Sequence, residues 1–134
     1  MKGILSIIVA VSLFSCGNQS AIGKKLSGSD SLLITFNVPN EDSVINTVST
    51  TEKKAIGKLA GFLNGKKAEK PECGFDGNMI FFNNGEILQT VIFQYNEDSC
   101  RQFLFELDNK VIGTKMNNEA VGFLKSLAEG RGWY

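Results

Sequence analysis

The chain of 134 residues contains no histidine, three cysteines and one tryptophan, and its 14 basic residues are balanced by 14 acidic ones. Each shortage removes a class of chemistry. Without histidine a serine lacks its usual general base, and a zinc site loses its commonest nitrogen ligand. Ser126 beside Lys125 does not replace it, because adjacent helical residues point about 100° apart and do not face each other. A balanced charge with no basic stripe or charge block gives nucleic acid nothing to grip, and gives a membrane surface no electrostatic patch. The glycines do not fall into the strand-to-helix spacing of a phosphate-binding loop. No cofactor and no metal is expected. No apolar run reaches the roughly 20 residues that a membrane-spanning helix needs.

The longest apolar run, Ile4 to Phe14, follows Lys2 and turns polar at Gly17-Asn18-Gln19-Ser20. A basic start, a short apolar core and an abrupt polar exit form a signal-peptide pattern. At its end Leu13-Phe14-Ser15-Cys16 resembles the lipobox of bacterial lipoproteins, and the whole is similar to small lipoproteins of Bacteroidota. The resemblance implies cleavage by signal peptidase II before Cys16 and attachment of a diacylglyceryl group to its sulfur, followed by acylation of the new amine. Each buried CH₂ contributes roughly 0.8 kcal/mol, so two or three chains would hold the protein on the membrane. Surface-exported relatives carry acidic residues after the cysteine; here Asn18-Gln19 and Lys24-Lys25 follow. A periplasm-facing location is therefore expected, on the outer membrane more than the inner.

Taking Cys16 as the lipid handle leaves Cys73 and Cys100, an even pair in an oxidising compartment, and a disulfide between them is expected. It would close a loop of about 28 residues, which on loop-closure entropy stabilises by about 3.5 kcal/mol. Two free buried thiols are the alternative. The expected organisation is a signal peptide over 1–15, a lipidated cysteine and flexible tether over 16–31, and a single domain over 32–134. That length suits one domain and not two.

Within the domain, Ile34, Phe36 and Val38 alternate with polar residues and end at Pro39-Asn40, which predicts a strand. Ser49-Thr50-Thr51-Glu52 fits a capping box opening a helix whose stripe is Ile56, Leu59, Ala60 and Leu63, stopped by Asn64-Gly65. Then Asn83-Asn84-Gly85-Glu86 and Asp108-Asn109 read as tight turns in a four-stranded antiparallel meander. Asn117 or Asn118 caps a final helix with Ala120, Phe123, Leu124, Leu127 and Ala128 inward. The predicted order is β-α-β-β-β-β-α, an α+β fold with two amphipathic helices on a mostly antiparallel sheet.

Candidate sites are few. Glu72, Asp76, Asn96, Glu97 and Asp98 gather before strands, without the ligand spacing of a calcium loop, and as turn residues they suit solvated loops. Leu88, Ile92 and Leu104 face away from Val91, Phe93, Tyr95, Phe103, Phe105 and Leu107. They form an exposed patch if the helices cover one face only, and core if both faces are covered. Trp133 and Tyr134 at the C-terminus fit a binding surface or a plug on the core. The functional expectation is a lipid-anchored, non-catalytic interaction module of the cell envelope, such as an inhibitor, an immunity-like protein or an accessory subunit. Its partners would be the membrane, through the lipid, and an envelope protein. The alternative is a small hydrolase or ligand carrier using the acidic loop residues.

Overall fold

The computed structural model describes residues 21–68 and 74–131. The elements are α1 (Ala21–Leu26), β1 (Ser31–Asn37), β2 (Val44–Thr50), α2 (Lys53–Phe62), β3 (Gly77–Asn83), β4 (Glu86–Gln94), a 3-10 turn (Asp98–Cys100), β5 (Gln102–Leu107), β6 (Lys110–Lys115) and α3 (Asn118–Ala128). The strands form one antiparallel sheet in the order β2-β1-β3-β4-β5-β6, so the fold is α+β as expected. The counts differ: six strands and three helices among the described residues replace five strands and two helices.

The two predicted tight turns are built as their residues dictate. Asn84 and Gly85 have φ of 51° and 80°, and Asp108 and Asn109 have 53° and 64°. Two successive positive φ values give the type I′ turn, whose twist matches that of the flanking strands. At the far end, Asn117 accepts a hydrogen bond from the Ala120 N–H at 2.8 Å and so caps α3. Gly130, at φ 84°, closes the helix with its N–H on the Leu127 carbonyl, while Arg131 N–H reaches Ser126. These paired bonds satisfy carbonyls that would otherwise be left over at the helix end.

Three expectations are corrected in the N-terminal half. Residues 21–31 are not a bare tether: Ile22 and Leu26 are buried in the core, and Lys25 Nζ donates to Gln89 Oε1 at 2.8 Å. A helix of six residues is too short to show a sustained period, so its two buried residues carried no signal. The capping box is absent as well, because Ser49 and Thr50 belong to β2, and α2 starts at Lys53 with Glu52 as an N-cap without a side-chain cap bond. Thr50 Oγ1 instead accepts from the Glu52 N–H at 3.1 Å. The stop after α2 is also different, for neither Asn64 nor Gly65 has positive φ. Gly65 is required because a Cβ there would collide with the carbonyl oxygen of Lys115 on β6.

All three helices pack on one face of the sheet. The core joins Ile22, Leu26, Ile56, Leu59, Leu63, Leu124 and Leu127 to Leu32, Ile34, Phe36, Met79, Phe81, Val91, Phe93, Phe103 and Phe105. Phe93 sits at its centre, edge-on to Phe36 at 5.7 Å and stacked with Tyr95 at 5.8 Å. Lys58 lies over the Phe123 ring at 4.6 Å and ties α2 to α3. No described helix is long and apolar enough to cross a membrane.

Candidate functional site

Among the described residues, no helix covers the second face of the sheet. Strand pairing places Thr35, Asn78, Ile92, Leu104 and Gly113 in one row across β1, β3, β4, β5 and β6. Leu33 and Ile80 pair in the neighbouring row, and Phe82 faces Ser31 beyond it. Because residues paired across antiparallel strands share a face, these side chains form one surface opposite the helices. Ile92 is 43% exposed, and Leu33, Ile80, Phe82 and Leu104 are half-buried. Gly113 leaves room for Leu104 beside it: a Cβ there would stand 3.2 Å from Leu104 Cδ2 and 3.3 Å from Ala68 Cβ.

Of the three apolar residues singled out from the sequence, Ile92 and Leu104 stand side by side on this face. Leu88 does not join them. The register shifts between Phe81 and Phe82, which makes Leu88 an extra residue in β4, and it packs against the core. A bulge reorients the residue it inserts, and the alternation of apolar residues does not foretell where one falls. Leu33, Ile80 and Phe82 were missed, although their alternation with the inward Leu32, Ile34, Met79 and Phe81 is the signal of a strand apolar on both sides. At the β2 end this surface runs into an open depression of about 740 Å³ lined by Ser31, Leu33, Phe82, Ser49, Thr51 and Glu52.

The opposite end of the sheet is polar and closed. Asp76, nearly fully buried, accepts the Tyr95 N–H at 2.7 Å, the Asn96 N–H at 3.0 Å and Asn96 Nδ2 at 2.8 Å. A carboxylate bonded this way secures the exit of β4. Arg101 pairs with Asp98 at 3.0 Å and donates from Nε to the Tyr95 carbonyl. Burial, then the charges of Asp76 and Glu129, push the Tyr95 phenol up to about 12. Gln94 and Gln102 face each other across β4 and β5, both buried. The acidic residues Glu97 and Asp98 lie in the exposed turn leading to Cys100. Among the described residues no cluster of three or more acidic or cysteine side chains could hold a metal.

Cys100 ends the 3-10 turn before β5 and is not a free thiol. Cys16, Glu72, Cys73, Trp133 and Tyr134 lie outside the described residues. No family model, curated protein or solved structure matches the chain.

Proposed function

We propose that this chain is a lipid-anchored, non-catalytic interaction module of the bacterial envelope, held to the membrane through Cys16 and receiving a protein partner on the open face of its sheet. The observation that carries this reading is the one-sided packing. Three helices cover one face, while Leu33, Ile80, Phe82, Ile92 and Leu104 leave an apolar surface on the other. Contiguous apolar surface with a polar rim is what a protein partner buries, and an adjoining depression gives one of its side chains a place to anchor. In this reading the Cys73–Cys100 disulfide is a structural staple.

The test is a photoreactive amino acid placed at Ile92, at Phe82 and, on the helical side, at exposed Lys54, followed by irradiation of intact envelopes. Ile92 and Phe82 are expected to give the same single protein adduct and Lys54 none. Adducts that are equal at all three positions, or absent at Ile92 and Phe82, would overturn the reading. Intact mass of the membrane fraction tests the anchor separately, with an acylated chain beginning at Cys16 as the expected result.

A further inference from the structure

The two outer strands of the sheet are finished differently. β6 begins and ends in lysine, and its second half is already paired: Lys115 N–H donates to Lys66 at 2.7 Å and Ala68 N–H to Gly113 at 2.9 Å. β2, Val-Ile-Asn-Thr-Val-Ser-Thr, has no charge and no proline, and no described segment pairs with its outer side. Val44 and Ile45 are 57% and 63% exposed, and Thr47 and Ser49 are exposed too. Edge strands are ordinarily blunted by charge, proline or cover, because their unpaired backbone groups template another strand. A bulge near Ile45 is the one such device here, and it leaves Asn46 to Thr50 regular.

Which groups point outward follows from the ladder. Asn37 N–H bonds to Asp76 on the β3 side, and Val38 N–H bonds to Ser43 on the β2 side. Antiparallel strands alternate their bonding side, so Leu32, Ile34 and Phe36 turn towards β2, where they pair with Thr50, Val48 and Asn46. Thr47 and Ser49 therefore present their N–H and C=O groups outward.

We infer that this edge pairs with the β2 edge of a second copy, antiparallel and centred on Thr47. In that register the Thr47 N–H of each chain donates to the Thr47 carbonyl of the other, and Ser49 meets Ile45 of the second copy. The pairing is isologous and closes on itself, as a two-fold contact must. No charge opposes it within the strand. At its ends Glu41 and Asp42 of one copy approach the start of α2 in the other, where Lys53 and Lys54 outnumber Glu52. Residues paired across strands share a face, so the two open faces become one continuous surface. The inference stands on the edge and not on the reading of that face. A contact limited to one strand pair is small beside a standard interface, so the association is weak and concentration-dependent.

Amide hydrogen exchange of the full-length chain in detergent solution, followed across a wide concentration range, tests this. Protection of the Thr47 and Ser49 amides is expected to grow with concentration, slowing exchange about fivefold when four-fifths of the chains are paired. Thr47→Pro removes one outward N–H without touching the β1–β2 ladder, and Thr47→Lys adds the missing edge charge. Both variants are expected to abolish the concentration dependence while the Met79 and Val91 amides stay protected. Should Thr47→Pro loosen those core amides, Thr47→Lys alone decides. Fast exchange at Thr47 and Ser49 at every concentration would overturn the inference. So would protection independent of concentration, which would mean that the chain covers its own edge, or concentration-dependent protection confined to β6.

Discussion

Ile92 and Phe93 are neighbours in β4, both large and apolar, and the fold treats them oppositely. Phe93 is 1% exposed among aromatic rings and helices, whereas Ile92 is 43% exposed on the bare side of the same strand. Nothing in residue type separates them. The difference is made by the described helices, which all pack on Phe93's side and none on Ile92's. A strand that is apolar on both faces but covered on one offers a surface built into the rigid centre of the sheet. Such a site is held in place by the whole core behind it.

The sharpest test of that contrast is truncation at the covered position. Phe93→Ala removes a ring packed against Phe36 and Tyr95 and is expected to cost about 3–5 kcal/mol, the range for large-to-small changes in a close-packed core. Denaturant unfolding measures it. A loss below about 1 kcal/mol would mean that the helical layer collapses into the gap and that the two faces differ less than their exposures say.

Asp76→Asn is expected to come next, at about 2–3 kcal/mol, since a carboxylate that accepts two backbone N–H groups and one amide is replaced by a side chain carrying donors of its own. The same measurement checks it. This substitution loosens the exit of β4, the strand that presents Phe93 to one side and Ile92 to the other. Binding at the open face should weaken with it, even though Asp76 lies at the far end of the strand.

Tyr95 adds a pH signature to the covered side. Its phenol ionises near 10.0 when unfolded and is pushed up to about 12 in the fold, chiefly by burial. The neutral form is therefore favoured in the native state. The stabilisation is complete below pH 10 and is lost as pH rises towards 12, by about 2 kcal/mol for a shift of this size. Unfolding curves of the wild type and Tyr95→Phe should diverge across that window, with only the wild type declining through this group. Parallel curves would indicate that the phenol is solvated in the native state.

How far the sequence reveals this arrangement depends on the strength of local pattern. The two tight turns, the β3–β6 meander, the α3 cap at one of Asn117 and Asn118, and the inward row of Val91, Phe93, Tyr95, Phe103 and Phe105 were all legible, because each rests on turn chemistry or strict alternation. β2 was not. Its polar Asn46 and Thr47 read as a connection and Ser49 and Thr50 as a helix cap, and an edge strand with little to bury has no alternation to display. α1 was too short to be seen, and its place depends on tertiary contacts such as Lys25 with Gln89. The open face was only half legible. Apolar residues on both sides of β4 mark a surface that is either covered or offered to a partner, and the choice lies in where α1, α2 and α3 pack.

The smallest expected effect on stability is at the exposed neighbour. Ile92→Ala deletes a side chain that is already 43% exposed and touches solvent on one side, so the loss should stay below about 1 kcal/mol. Calorimetry should place its melting temperature within about 5 °C of wild type. If the open face receives a partner, this same change removes contact area at its centre, where truncations at interfaces cost most. Stability and association should therefore separate: Phe93→Ala lowers both, whereas Ile92→Ala spares the fold and lowers association alone. A large loss of stability at Ile92 with no change in partner capture would move this residue into the core and close the open face as a binding surface.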